Sequence, residues 1–507
     1  MDDGMNDINF IPPNNPVVQQ SINPRSFLMV ITGWDSGVRL LKSEIVQTEY
    51  EGFTVPQELR EEINSLHDTY DANNESKINK LTEKLKKLPK DPAFKYVQPN
   101  DLEGIKKERP AGPRQLKMNY GDTELLDRLH GAWTGRAAGC ALGKPVEGLG
   151  MGGKKELGLN GRLAIKHYLK NRGHWPLDYY FSGKEASDGI KLGCEKSWRE
   201  NIAFMEPDDD IHYSIIGLKV LEERGPDFKW NDVANTWNSS LPYNAICTAE
   251  TQAILNYNIK TPRSGAWEGK STYATPEFTR RNNNPYREWI GAQIRADGWA
   301  YACAGNPELA AEFAWRDAHW THTANGIYGE MFAAAMIAAS FVESDPLKIV
   351  EIGLSEIPKN CRLAEAVRYA LKWIGVCKDF ESFMKKLESK FGDMSPVHTV
   401  NNALIVVMSL FYGKMNPDKS ICISVMGALD TDCNGATTGS IAGAASGRKK
   451  FGGKLAPALN DTIKPQVFGF QDITMKELAE RTLAVHKKVK EYAGERRQGR
   501  KSVISNQ

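Results

Sequence analysis

The chain has 507 residues, enough for a large core and two to four domains, or for one big helical domain with an extension. Its 65 basic and 63 acidic residues leave a net charge of +2, and no basic stripe with interleaved aromatics stands out, which excludes the electrostatic footprint of a nucleic-acid binder. No run of about 18 apolar residues is present, and the acidic, Pro/Asn-rich start lacks the pattern of a signal sequence, so a cytoplasmic protein with no membrane partner is expected.

Residues 1–24 read as a disordered tail of low hydrophobicity with the prolines of "IPPNNP". From 25 to 115 a highly charged helical extension, including "VPQELREEINSLHDTYDANNESKINKLTEKLKKL", leads into a Pro-rich irregular connector. It shows no sustained heptads of a coiled-coil arm. From 116 to 495 the composition predicts an all-α domain. Its helices are expected over 122–142, 208–224, 245–257, 286–304, 307–318, 324–342, 361–374, 400–412, 418–428, 432–447 and 475–493, with a flexible tail over 496–507. Two insertions, 148–200 and 258–285, read as long loops. Their aromatic stretches "GHWPLDYYFSG" and "PRSGAWEGKSTY" suit either stacking on a sugar or ordinary loop packing. "EGLGMGGKK" at 147–155 reads as a turn rather than a phosphate cradle. The eight cysteines contain no CxxC pair and predict mostly buried thiols rather than disulfides or a zinc site.

The chemistry concentrates in two acidic runs. "EPDDDIHYS" puts Asp208, Asp209 and Asp210 at the start of a helix whose apolar stripe is Ile211, Ile215, Leu218 and Leu221. Helix capping accounts for one aspartate or two, not three. "ALDTDCNGATTG" places Asp430 and Asp432 at a second helix start, ahead of the closely packing Gly435, Gly439 and Gly443. If the two starts meet, four or five carboxylates converge, and only cations stabilise that arrangement. Oxygen ligands without histidine favour Mg²⁺ or Mn²⁺ over Zn²⁺, and a two-metal site follows, although the positive end of each helix opposes a cation.

These runs, with "GAWTGRAAGCALGKPVEG" at 131–148 and "WRDAHWTHTANGIYGEMFAAAMIAASF" at 315–341, resemble the ADP-ribosylglycohydrolase family over about 120–490. The resemblance implies a compact all-α fold and a binuclear Mg²⁺ or Mn²⁺ centre. Asp208, Asp209, Asp210, Asp430 and Asp432 then stand at metal-ligand positions. Cys433 stands where the family has a Thr or Ser whose hydroxyl reaches a metal. Asp209, Asp432 and Glu147 are the catalytic candidates, Glu147 lying beside the metals near the ribose. His322 matches a pocket histidine, with a hydrogen-bonded core histidine as the other reading. The implied substrate is an ADP-ribosylated protein.

Three departures qualify this. A thiol at Cys433 is a poor partner for a hard cation, with Thr437 one turn on as an alternative oxygen, and Ile211 replaces a frequent Thr. The diphosphate loop reads "IGAQIR": Gly291, Ala292 and Arg295 are kept, while Ile290 and Ile294 replace Asn and Met. Isoleucine cannot donate to phosphate. Arg295 is a substrate candidate with Gly291, or else a salt-bridge partner of Asp297 or Asp317. The unmapped aromatic insertions point the same way, to a smaller ribosyl glycoside as the alternative substrate. A non-catalytic member, as in related lens crystallins, is the reading from another class.

Overall fold

The computed structural model describes residues 36–67, 72–262 and 272–505. The tail expected over 1–24 and most of "PRSGAWEGKSTY" lie outside them. The described residues divide into two compact units, the first ending at Pro92 and the second beginning at Ala93. In the first, helices Gly37–Tyr50, Gln57–Asn64 and Ala72–Lys86 bury Val38, Leu41, Ile45, Leu59, Ile63, Leu81 and Leu85 in a core of their own.

The second unit is built from helices, with one antiparallel pair of two-residue strands, Thr462–Ile463 and Ile473–Thr474, among the described residues. Its organising feature is already visible in "GAWTGRAAGCALG", where glycine recurs at every fourth position and so lines one face of helix Asp122–Gly143. Helix Thr431–Ser446 carries the matching stripe. The two run antiparallel in backbone contact: a Cβ on Gly135 would lie 1.9 Å from the Gly439 carbonyl oxygen, and one on Gly139 2.0 Å from that of Gly435. Gly131 faces Gly443, and Gly143 faces Thr431, in the same way. This packing brings the end of the first helix, with Lys144 and Glu147 just beyond it, beside the start of the second at Asp430 and Asp432.

Helix Asp209–Arg224 starts at the same place because Arg136, buried in the middle of the first glycine helix, reaches it. Arg136 Nε and Nη2 donate to the Asp210 carbonyl (3.0 and 2.7 Å), Nη2 also to Asp210 Oδ1 (3.1 Å), and Nη1 to Asp297 Oδ2 (2.7 Å). Around this frame pack the Ala-rich helix Ala324–Ser340, buried along its whole length, and Thr399–Tyr412.

Several elements differ from the sequence reading. The helix expected over 286–304 is regular only as Ala296–Ala302, because residues 287–295 turn to feed side chains into a buried ion-pair network. The insertion 148–200 contains helices Glu147–Gly152 and Gly161–Asn171, the latter capped by Asn160 and burying Ala164, Ile165, Tyr168 and Leu169. The connector holds a helix, Leu102–Glu108, and from residue 93 it belongs to the larger unit. The closing helix runs Met475–Ser505, past the point where a tail was expected, and Arg496 ties it to Glu312 at 2.9 Å. No helix among the described residues is long and apolar enough to cross a membrane.

Candidate metal centre

The two acidic runs converge. Carboxylate oxygens of Asp208, Asp209 and Asp210 lie within 4.8 Å of one another, as do those of Glu147, Asp430 and Asp432. Asp210, Asp432 and the Cys433 sulfur form a third such group that links the two runs.

Capping explains little of this. Asp208 does cap its helix, accepting from the Asp210 N–H at 3.0 Å. Asp430 occupies the cap position of Thr431–Ser446 but makes no side-chain capping bond, and its Oδ1 is buried without a hydrogen-bond partner. The chain enters that helix through Ala428 and Leu429, at φ 64° and 59°. Two successive non-glycine residues in the left-handed region are strained, and such strain concentrates at functional sites. Asn402 braces the turn, its Oδ1 accepting from Asp430 N–H (3.2 Å) and Asn434 Nδ2 (2.7 Å).

Six carboxylates thus face two cationic side chains. Lys144 Nζ pairs with Asp208 Oδ2 at 2.9 Å, and Arg136 is shared between Asp210 and Asp297. At least four negative charges go uncompensated when all six are ionised. The protein therefore resists that state. Glu147 is pushed up to about 9, first by the Asp432 charge and then by desolvation. Asp209 rises to about 8 through desolvation and the Asp208 and Asp432 charges, and Asp432 to about 6 through burial and then Asp208. Asp210 and Asp430 also lie well above the usual carboxylate range, burial being the main cause. A divalent cation reverses this logic by favouring the ionised form of every group it touches. The donor set, mostly carboxylate oxygen with one sulfur and one orphaned oxygen, fits a metal.

Cys433 is buried, and its thiol donates to Asp210 Oδ2 at 3.1 Å. Thr437 Oγ1, one turn further on, is buried without a hydrogen-bond partner.

The three substrate candidates, Gly291, Arg295 and His322, also come together, but around Glu250. Arg295 is buried and ion-paired with Glu250 and with Asp317 Oδ2 at 2.8 Å, and its Nη2 donates to Thr321 Oγ1 at 2.9 Å. Gly291 makes room for the Glu250 carboxylate, whose oxygens would lie 2.5 Å from a Cβ there. His322 is fully buried, with Nδ1 2.8 Å from Thr321 Oγ1 and Nε2 3.8 Å from Glu250 Oε1; burial, then Arg295, holds its pKa well below the usual histidine range. Of the two sequence readings of Arg295, the structure places it in the ion pair with Asp317 and gives Asp297 to Arg136. The Glu250 charge also raises Asp209, after desolvation and the Asp208 and Asp432 charges.

Sequence reasoning missed Arg136, Lys144, Glu250 and Asn402. Arg136 left a signal: one arginine inside an Ala/Gly helix is a charge that must be buried and therefore paired. A separate cavity of about 530 Å³, lined by Met118, Cys303, His486 and Lys490 among others, contains none of the site carboxylates.

An all-α domain with carboxylates gathered at the ends of tightly packed helices defines the class. The chain belongs to the ADP-ribosylglycohydrolase family, whose model matches residues 121–491. Among solved structures, a chain from an ADP-ribosylglycohydrolase-related protein complex is similar at 17% identity and a TM-score of 0.43, covering 72% of this chain and 99% of its own. No curated protein matches the sequence. Family membership makes the protein a hydrolase of the glycosidase class.

Proposed function

We propose that the protein is a metal-dependent glycohydrolase that holds two divalent ions and cleaves the glycosidic bond of an ADP-ribosylated substrate. The observation that carries this reading is the convergence of Asp208, Asp209, Asp210, Asp430, Asp432 and Glu147 with too few cations to neutralise them. Asp209, Asp210, Asp430 and Asp432 would hold the ions, with Asp208 restrained by Lys144 at the edge. Divalent ions in such a site supply Lewis-acid binding of vicinal hydroxyls and a more acidic water.

The chain's own residues supply proton transfer and orientation. Glycoside cleavage needs a group that gives or takes a proton at the reacting oxygen. Glu147 suits that role: like Asp209 it is half-buried, whereas Asp210, Asp430 and Asp432 are buried, and the Asp432 charge together with desolvation raises its pKa. Arg136 keeps Asp210 in place by holding both its carbonyl and one carboxylate oxygen.

A second reading, a smaller ribosyl glycoside as substrate, is favoured by the "IGAQIR" segment. Ile290, Ile294 and Arg295 are all buried, and the Arg295 guanidinium is committed to Glu250, Asp317 and Thr321, which leaves this segment little to offer a diphosphate. The test is release of ADP-ribose from arginine- and serine-linked ADP-ribosylated protein with Mg²⁺, with Mn²⁺ and with chelator. Metal-dependent release is expected on the first reading. No release by protein that binds metal, with turnover of a ribosyl nucleoside or similar glycoside, supports the second.

A further inference from the structure

We propose that Cys433 is itself a metal ligand and tunes this site toward thiophilic divalent cations, of the Zn²⁺ and Cd²⁺ kind, in preference to Mg²⁺. The inference rests on the reading of the carboxylates as a metal centre and adds which cation this particular chain selects.

Three observations converge on the thiol. Its sulfur is grouped with oxygens of Asp210 and Asp432, all within 4.8 Å of one another, at the junction of the two acidic runs. Its hydrogen-bond acceptor is Asp210 Oδ2, the oxygen that Arg136 leaves free by binding Oδ1. Next to it, in the group that shares Asp432, Asp430 Oδ1 is buried and has no hydrogen-bond partner, so the site holds an oxygen still in need of positive charge.

The thiol hydrogen thus sits between two converging donors, the Cys433 sulfur and Asp210 Oδ2. A cation taking its place bonds the sulfur and Asp210 Oδ2 together. The present separation of 3.1 Å is within about half an ångström of the spacing that a sulfur and an oxygen take on one tetrahedral Zn²⁺. The balance is simple: the S–H bond breaks, a metal–sulfur bond forms, and one proton leaves to solvent for each ion bound at this position. A hydroxyl at residue 433 ligates a hard cation without losing its proton. A thiol ligates well only as the thiolate, and thiolate discriminates against Mg²⁺, which takes oxygen donors.

The test is cadmium titration of the metal-free full-length protein, followed by ultraviolet absorption. The wild type is expected to develop a sulfur-to-cadmium charge-transfer band. Cys433→Ser is expected to bind cadmium without the band. Cys247→Ser is the control, since Cys247 is an exposed thiol outside the three donor groups; it is expected to keep the band. In parallel, Cys433→Thr is expected to shift the ratio of Mg²⁺ to Zn²⁺ affinity toward Mg²⁺ by about tenfold or more. Cadmium binding by the wild type with no band, a band lost in Cys247→Ser but kept in Cys433→Ser, or an unchanged affinity ratio in Cys433→Thr overturns the inference and leaves the metal centre standing. Failure of the wild type to bind any divalent cation overturns both.

Discussion

Arg136 donates to the backbone carbonyl and the carboxylate of Asp210 at once, so a residue in the middle of the glycine helix fixes where the first acidic run begins. The same guanidinium neutralises Asp297, and all three side chains are buried. Removing one partner of a buried ion pair strands the other charges at a cost of about 3–5 kcal/mol. Arg136→Met is therefore expected to lower the unfolding free energy measured by urea denaturation by that amount and to weaken metal binding. Arg136→Lys, which keeps the charge but loses the fork, is expected to recover only part of both losses.

The glycine ladder leaves no room for a methyl group. A Cβ on Gly135 would sit 1.9 Å from the Gly439 carbonyl oxygen, and neither backbone can yield without separating the helices. Gly135→Ala is expected to destabilise the second unit by at least about 3 kcal/mol or to prevent its folding, at the upper end of overpacking effects. Gly148→Ala is the contrast, since a Cβ there meets nothing within 4 Å, and a near-neutral thermal midpoint is expected.

Loss of a site carboxylate is expected to separate function from stability. Asp432→Asn removes a charge that raises Glu147, Asp209 and Asp210. Turnover and metal binding are expected to fall by more than about a hundredfold, while the metal-free variant melts at a higher temperature than the metal-free wild type. A fully active Asp432→Asn protein ends the functional reading.

The pH dependence of this gain has a definite sign. Glu147 rises from 4.5 to about 9 and Asp209 from 3.8 to about 8 in the metal-free fold. Groups raised on folding contribute stability that is fully present below their unfolded values and is lost as pH climbs through the folded ones. In chelator, the advantage of Asp432→Asn over the wild type is thus expected to grow between pH 5 and pH 9. Adding divalent cation is expected to abolish that growth. Paired melts at each pH, with and without chelator, decide it.

Two buried histidines act at the other end of the scale. Burial pushes His212 and His319 down to about 4. His212 Nε2 accepts from the Gln466 N–H at 2.9 Å, and His319 Nδ1 lies 2.8 Å from the Trp315 carbonyl. Both are neutral when folded, so their contribution is complete above pH 6.5 and drains as pH falls toward 4. His319→Gln is expected to flatten the loss of stability across that window, measured by urea denaturation at pH 7, 6 and 5.

By itself, the sequence determined the class of the fold and the identity of the metal-ligand candidates. Helical periodicity, glycines every fourth residue and clustered aspartates are local properties, and local properties are legible in order along the chain. It also raised the charge problem, because capping uses one or two of Asp208, Asp209 and Asp210 and leaves a further carboxylate to be compensated. What only the tertiary structure decided is who stands opposite whom. That Arg136 takes one oxygen of Asp210 and leaves the other to Cys433, that Arg295 turns inward to Glu250 and Asp317 instead of outward, and that residues 287–295 give up helix to make those pairs all depend on contacts between segments far apart in sequence. The physical reason is the burial of charge: an unpaired ion in a closely packed interior costs more than a few helical turns gain, so partners found across the fold override the local pattern.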